Sequence, residues 1–205
     1  MDSDRYGIEK DMPLHLNKPA LRALGIAESF FRSSSRSCLA GVVMRGDLKI
    51  DGVAFSGATV GGDDATDAVL DIWDRLSRKD VNAVILSGAV ISWFNIIDLQ
   101  KVHKSLKIPI VCLTYEESPG LDLYLREYFP GDEGKLSAYC RLGPRESILL
   151  ATGYEAYIRP IGLSLNEALA LLNKFTFDGR LPEPVRVARL AARAAIRFDG
   201  LVPAI

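Results

Sequence analysis

The order of strand-like and helical segments constrains this chain more than any other feature of its sequence. Three strand-like segments, residues 23–31, 38–45 and 48–60, are separated only by short polar stretches. Segments this close together pair as an antiparallel meander. From Asp64 to Arg78 the apolar residues recur at helical spacing instead. A meander followed by a helix predicts an α/β protein built on a mixed sheet.

The second half of the chain alternates helices and strands, as parallel crossover units do. The short apolar strands 82–86 and 108–113 flank a helix at 96–106. We therefore expect later strands that are parallel, beside a meander that is antiparallel. Towards the C-terminus the sequence predicts a helix that begins near Leu121, a loop through Gly131 and Gly134, extended backbone within 148–160, a helix at 165–174 capped by Ser164, and a helix from Pro182 to about Arg197.

The composition indicates one folded unit. The chain has 205 residues, of which 48% are hydrophobic, and a net charge of −1. No Gly/Ser linker or charge block divides it, so we expect a lead-in or tail over residues 1–19 and a single domain over residues 20–205. Three cysteines and two histidines without zinc-site spacing, no bilayer-length apolar run and no secretion signal predict a cytoplasmic protein.

Because the net charge is near neutral, the chain as a whole does not attract nucleic acid, and binding would require a local basic patch. Such a patch is predicted on the last helix, where four arginines recur at i, i+3, i+7 and i+11 and form one stripe. They can bind phosphates bidentately, but such a stripe is also typical of a solvated face bridged to acidic side chains. The four are Arg186, Arg189, Arg193 and Arg197.

The element order is that of the ribonuclease H-like fold, and several motifs carry a more specific resemblance. They are Leu24-Gly-Ile-Ala-Glu-Ser-Phe30, Ile50-Asp-Gly-Val-Ala54 with Val60-Gly-Gly-Asp-Asp-Ala-Thr66, Phe94-Asn-Ile-Ile-Asp98, and Gly179-Arg-Leu-Pro-Glu-Pro-Val-Arg-Val-Ala188. The chain thereby resembles the archaeal family called domain of unknown function 99, which is itself similar to endonuclease V. This resemblance implies a ribonuclease H-like domain and magnesium-dependent cleavage of a phosphodiester near a deaminated purine.

The resemblance also implies which side chains would hold Mg²⁺ or Mn²⁺. Glu28 matches the acid of the first strand, and Asp64, with Asp63 as the alternative, matches the acid before the first helix. These two aspartates are equally typical of helix capping. Ser87 stands at the catalytic position where the acid of the fourth strand is expected. Because a serine hydroxyl is a poor substitute for a carboxylate ligand, the resemblance predicts an impaired metal centre.

Two interpretations of the function follow from this substitution. In the first, the chain is a metal-dependent endonuclease that uses these acids, with Glu116, Glu117 or Asp98 replacing the missing ligand. In the second, it is a non-catalytic nucleic-acid-binding protein, or an interaction scaffold, on the same fold. Cleavage that depends on Glu28 would distinguish the first interpretation from the second.

Trp93, Phe94 and Asn95 directly follow the fourth predicted strand. Aromatic side chains at that edge of the sheet can stack on a displaced base, which suits DNA or RNA that is single-stranded or has an unstacked base. Against this, Trp and Phe in an apolar context are usually core residues, and Asn95 is a typical cap for the helix that follows.

Overall fold

A computed structural model of the chain describes residue 18 and residues 20–199; apart from Lys18, the predicted lead-in at 1–19 lies outside this range. The described part contains nine strands and six helices. The strands are β1 (Arg22–Ser29), β2 (Arg36–Arg45), β3 (Ile50–Thr59), β4 (Ala83–Ser87), β5 (Val90–Ile91), β6 (Asn95–Ile96), β7 (Ile110–Thr114), β8 (Glu146–Leu149) and β9 (Glu155–Ile161). The helices are α1 (Ala65–Leu76), α2 (Leu99–Leu106), α3 (Asp122–Tyr128), α4 (Glu133–Arg141), α5 (Leu165–Phe175) and α6 (Glu183–Asp199).

Seven strands form one mixed sheet in the order β3-β2-β1-β4-β7-β9-β8, while β5 and β6 pair as a separate small hairpin. β1 and β3 are both antiparallel to β2, as the meander predicted. β4 is parallel to β1 and to β7, so the centre of the sheet is parallel. The predicted mixed α/β architecture is confirmed, with β9 added antiparallel to β7.

Helices cover both faces of the large sheet. α1 and α2 pack on one face, against side chains such as Leu24 and Ile26, and α5 and α6 pack on the other, against Ala23 and Ala27. The alternation along β1 is what a strand buried on both faces requires. Because the helices cover the faces, ligand access to the central strands lies at their ends.

α6 lies directly on the central strand β1. A Cβ atom at Gly25 would come within 2.3 Å of the backbone carbonyl carbon of Pro184, so this approach requires glycine. The spacing of Val185, Ala188, Ala192 and Ala195 predicts that these residues face the core. The first three are fully buried on the sheet side of the helix, whereas Ala195 is half-buried. Neither α6 nor any other helix within residues 20–199 is long and apolar enough to cross a bilayer.

Two local predictions were wrong. The helix expected at 96–106 begins only at Leu99, because Asn95 and Ile96 pair with β5 and Asp98 caps α2 by accepting a hydrogen bond from the Lys101 amide at 2.9 Å. The loop expected through Gly134 is part of α4, whose N-cap is Asp132. In both places an aspartate cap, Asp98 for α2 and Asp132 for α4, determines where the helix begins.

Candidate functional site

Three central strands end side by side, and the residues at their ends define the candidate site. β4 lies between β1 and β7 and is parallel to both, so the carboxyl ends of all three strands meet at one edge. In open α/β sheets, ligands bind at this edge. Glu28, Ser87 and Tyr115 lie at or directly after these ends. We call this region the strand-end site.

Glu28 brings a half-buried carboxylate to the strand-end site. Its Oε1 atom accepts a long hydrogen bond from the Ser92 amide at 3.4 Å, while Oε2 is buried and has no hydrogen-bond partner among the described residues. Burial raises the pKa of this carboxyl group, and the Ser92 amide and the charge of Arg189 oppose the shift. A buried oxygen without a partner is one that a ligand or water molecule would satisfy.

The register of the central strands places Ala27, and not Glu28, beside Ser87. Ile26 pairs with Leu86, so the next residues along the two strands are Ala27 and Ser87. Alternation then points Ala27 and Ser87 to the face covered by α6, and Glu28 to the face covered by α1. Glu28 and Ser87 come together only at the strand ends, where both line one narrow pocket. The position that would form a carboxylate pair across from Ser87 is therefore an alanine.

Tyr115 follows β7 and packs on the α6 side of the sheet. Its hydroxyl is buried beside the Ser87 side chain, and it makes no hydrogen bond of ordinary length and angle within the described part of the chain. Burial raises the pKa of the phenol to about 12, although the nearby Ser87 side chain and the charge of Arg189 oppose this shift. Tyr115 is thus a neutral donor at pH 7.

Arginines surround the strand-end site. Arg180, in the loop between α5 and α6, donates from Nη1 to the Tyr115 carbonyl at 2.6 Å. Arg145 donates from Nη1 to the Thr114 hydroxyl at 2.8 Å and lines the cleft beyond β4 and β7. Arg189 on α6 lies close enough to influence the pKa of both Glu28 and Tyr115. Cations and hydroxyls therefore outnumber carboxylates here.

Asp64 is held by a local hydrogen-bond network. Its carboxylate accepts from the Thr59 amide at 2.9 Å, from the Thr59 hydroxyl at 2.8 Å and from Asn95 Nδ2 at 2.7 Å. Although partial burial works against ionisation, these hydrogen bonds lower the pKa of Asp64. Asn95 in turn accepts from the Ala65 amide at 2.9 Å, so it caps α1 and not the helix that follows it. The expected Asn95 cap of α2 was wrong, because Asp98 fills that role.

Asp63 pairs with a buried lysine. The Lys135 side chain is 2% exposed, and its ammonium group lies 2.6 Å from the carboxylate of Asp63, which is itself 79% exposed. The same ammonium donates to the carbonyls of Gly62 at 2.8 Å and Phe94 at 3.2 Å. Lys135 therefore fastens α4 to the loop before α1 and to the β5–β6 hairpin.

The turn of the β5–β6 hairpin is strained. Ser92, Trp93 and Phe94 have φ angles of 44°, 60° and 63°, so three consecutive residues with side chains adopt the left-handed region. Contacts hold this turn: the Ser92 hydroxyl donates to Ser37 Oγ at 2.6 Å, and the Gly61 amide donates to the Ser92 carbonyl at 2.7 Å. Such strain persists where the surroundings fix it, and it is common at functional sites.

Trp93 and Phe94 belong to a surface aromatic cluster. The Trp93 ring lies 5.0 Å from Tyr128 and 5.2 Å from Phe94, between ring centroids, and Phe94 also contacts Phe129. The guanidinium of Arg32 stacks over Trp93 at 3.8 Å. Trp93 and Phe94 are half-buried, so they are neither core residues nor fully exposed. The Arg32 guanidinium covers one face of the Trp93 ring.

The arginine stripe on α6 is exposed and only partly paired. Arg186 pairs with Glu183, from Nη2 to Oε2 at 2.5 Å, as expected of a solvated face. Arg189, Arg193 and Arg197 are exposed on the same helix, and within residues 20–199 no ion pair is found for them. Three of the four cations are thus available to an anionic partner.

The predicted ligand pair of Glu28 and Asp64 does not fit a divalent metal centre. Glu28 offers one unpartnered carboxylate oxygen, Ser87 offers a neutral hydroxyl, and Asp64 is engaged by Thr59 and Asn95. Mg²⁺ requires several converging oxygen ligands at about 2.0–2.1 Å. No group of three or more His, Cys, Asp or Glu side chains that could hold a metal occurs in the described part of the chain.

The three residues considered as replacement ligands lie in other settings. Glu116 and Glu117 are exposed in the loop after β7. Asp98 is engaged as the cap of α2. They provide no carboxylate in the place of Ser87.

Comparison with known proteins first gives the class. A protein of unknown function from Archaeoglobus fulgidus has a TM-score of 0.73 and 28% identity, with 85% of this chain and 98% of that chain covered. Endonuclease V from Ciona intestinalis, in complex with a 24mer DNA that contains an inosine, has a TM-score of 0.59 and 12% identity over 87% of each chain. The protein is a ribonuclease H-like α/β protein, as its element order predicted.

The family follows from the sequence matches. A family model described as endonuclease dU matches residues 19–196. A UPF0215 protein from Pyrobaculum aerophilum is 36% identical over 176 residues, which is 85% of this chain and 94% of the relative. The chain belongs to the endonuclease dU family. The predicted resemblance to an archaeal family similar to endonuclease V is confirmed.

Sequence reasoning missed Tyr115, Arg180, Arg145 and Lys135. Tyr115 directly follows an apolar strand, and its position one residue beyond the end of β7 could have drawn attention to it. The three cations lie in loops or a short helix without periodic patterning. Their approach to the site depends on how distant segments pack, which no local pattern records.

Proposed function

We propose that this protein binds nucleic acid that carries a deaminated base, deoxyuridine by the description of its family, and that it does so without a two-metal centre. The observation that carries this proposal is the content of the strand-end site, where hydroxyls and arginines stand in place of converging carboxylates. Guanidinium and hydroxyl groups suit a phosphate, whereas a divalent cation requires anionic oxygens. The fold shared with an endonuclease V in complex with DNA supports DNA as the partner.

Two surfaces beside the strand-end site suit the remaining parts of such a ligand. Trp93 and Tyr128, which is 46% exposed, could stack on an unstacked base once Arg32 moves aside. The exposed Arg193 and Arg197 extend the positive charge along α6. Phosphates of DNA or RNA would follow this helix, and binding would therefore weaken as salt increases.

Hydrolysis of the phosphodiester is the second candidate, and a specific observation favours it. Glu28 has a buried, unpartnered oxygen and a raised carboxyl pKa at the strand-end site. A carboxylate of this kind can act as a general base that accepts a proton from an attacking water molecule. Cleavage by this route would depend on Glu28.

The test measures binding and cleavage together. The protein is titrated into labelled oligonucleotides in the presence of Mg²⁺, Mn²⁺ or EDTA. The oligonucleotides are single-stranded DNA and duplex DNA that contain deoxyuridine, inosine or no modified base, and RNA that contains uridine or inosine. The parent is compared with Glu28→Gln and with the double variant Ala27→Asp, Ser87→Asp, which introduces two neighbouring carboxylates. Glu155→Gln is the matched control, because Glu155 is an exposed strand carboxylate three strands away from β1.

The expected result is salt-sensitive binding in EDTA, no cleavage by the parent and gain of metal-dependent cleavage by the double variant. Circular dichroism checks that the double variant is folded. Cleavage by the parent that Glu28→Gln abolishes and Glu155→Gln preserves would establish the second candidate instead. Absence of binding to every oligonucleotide would refute both.

A further inference from the structure

We infer that Tyr115, Ser87 and Arg189 form a subsite for a phosphoryl oxygen at the end of β4, the position where a metal ion would otherwise neutralise the phosphate. This inference rests on the proposed function and names the chemical group that the strand-end site would hold. It assigns a direct ligand contact to Tyr115, a residue without a role in the predicted metal centre.

The unpartnered hydroxyl of Tyr115 is the first observation. Within the described part of the chain, this buried O–H group has no hydrogen bond of ordinary geometry, and its one polar neighbour is the Ser87 side chain, so its lost interaction with water is poorly replaced. Native proteins rarely keep such a group unless a ligand, ion or water satisfies it. The ring itself is well fixed, because it packs against the core under α6 and its carbonyl accepts from Arg180.

The chemistry of the neighbours is the second observation. Ala83 and Ile85 of β4 face α6, so by alternation Ser87 faces the side on which Tyr115 packs and adds a second neutral hydroxyl donor. Arg189, exposed on α6, supplies the positive charge that acts on Tyr115 and on Glu28. The nearest acid, Glu28, starts from the opposite face of β1. Two hydroxyls and one guanidinium form a donor set for an anionic oxygen, since each can donate a hydrogen bond and none carries the negative charge that would attract a cation.

The direct test uses inorganic phosphate as the probe, in EDTA. Phosphate binding is followed by isothermal titration and by the rise in melting temperature relative to chloride at equal ionic strength. Tyr115→Phe and Arg189→Gln are each expected to weaken phosphate binding by about tenfold or more, the effect of losing a hydrogen bond to a charged group. Arg75→Gln is the control, because Arg75 is exposed on α1 and pairs with Asp71 on that helix.

Tyr115→Phe also separates a ligand contact from a structural role. Removing a buried hydroxyl that makes no hydrogen bond of ordinary geometry should leave the melting temperature in chloride nearly unchanged, while the phosphate response is lost. A lower melting temperature in chloride with an unchanged phosphate response would overturn the inference. So would equal phosphate binding by Tyr115→Phe and Arg75→Gln.

A second measurement separates failure of the subsite from failure of the proposed function. Deoxyuridine oligonucleotides with a neutral methylphosphonate at one linkage at a time are bound to the parent and to Tyr115→Phe in EDTA. The parent should show one linkage whose neutralisation weakens binding, and Tyr115→Phe should lose that difference. Oligonucleotide binding that Tyr115→Phe leaves unchanged would refute the subsite alone, whereas phosphate binding without any oligonucleotide binding would refute the proposed function alone.

Discussion

Replacement of Lys135 by methionine should destabilise the protein far more than removal of an ordinary surface lysine. The Lys135 ammonium is buried under α4 and joins the carbonyls of Gly62 and Phe94 to the carboxylate of Asp63. Methionine has a similar length and keeps the apolar contacts of the lysine stem. The variant therefore removes the charge and its hydrogen bonds while it leaves the packing of the helix largely intact.

The expected loss of stability depends on which partners of Lys135 can form hydrogen bonds with water in the variant. Asp63 is 79% exposed, so its carboxylate is rehydrated at little cost. The two carbonyls at 2.8 and 3.2 Å lose hydrogen bonds to a charged donor, each worth about 1.5–3 kcal/mol. Removing the ammonium also removes the cost of desolvating it. We expect a net loss of about 2–4 kcal/mol, a large part of the typical stability of about 5–15 kcal/mol.

Urea denaturation followed by circular dichroism measures this loss, with Lys101→Met as the matched control. Lys101 also pairs with an aspartate, at 2.9 Å from Asp67, but both side chains are more than half exposed. Such a pair contributes at most about 1 kcal/mol. Asp63→Asn should likewise cost less than about 1 kcal/mol. Equal losses for Lys135→Met and Lys101→Met would refute the argument from burial.

Three further predictions concern the fold and the strand-end site. Gly25→Ala should lower the melting temperature strongly, because its Cβ would overlap the backbone of Pro184. Gly134→Ala, in the exposed first part of α4, should instead stabilise the protein by about 0.5–1 kcal/mol. Thermal denaturation of the two variants tests these opposite effects. Asp98→Ala should cost about 1 kcal/mol in urea denaturation through loss of the α2 cap, and no change would contradict the assigned helix start. Because burial raises the carboxyl pKa of Glu28 above 4.5, the folded state binds the proton more tightly than the unfolded state, so stability should fall as pH rises from about 4.5 through the folded pKa. Urea midpoints of the parent and of Glu28→Gln between pH 4 and 7 test this sign, and a parent that gains stability relative to the variant over that range would disprove it.

Much of the fold could be predicted because its signals are local. The change from adjoining strands to alternating helices and strands predicted the mixed sheet. The spacing of Val185, Ala188 and Ala192 predicted the buried face of α6. The errors lie where one local signal competes with a distant one. Asn95 suits a helix cap by its type, but tertiary contact assigns it to α1, 30 residues earlier in the chain.

The candidate site was predictable in location but not in composition. Glu28 and Ser87 were predicted as site residues because each lies near the end of a central strand, and both line a pocket at the strand-end site. The pairing register decides that Ala27 is the residue beside Ser87. Register cannot be inferred reliably from a strand that is apolar on both faces, because a shift of one residue leaves its pattern nearly unchanged.

The sequence alone therefore determined the order of elements, the membership of a nuclease-like family and the presence of Ser87 at the end of the fourth strand, because each is recorded in residues that are close together in the chain. Only the tertiary structure decided that Asp64 is engaged by Thr59 and Asn95, that Lys135 fastens the strained turn, and that Tyr115 lies beside Ser87 within reach of the charge of Arg189. The physical reason is that charges and unpartnered donors act over a few ångströms in space, and the segments that carry them here are up to about 100 residues apart.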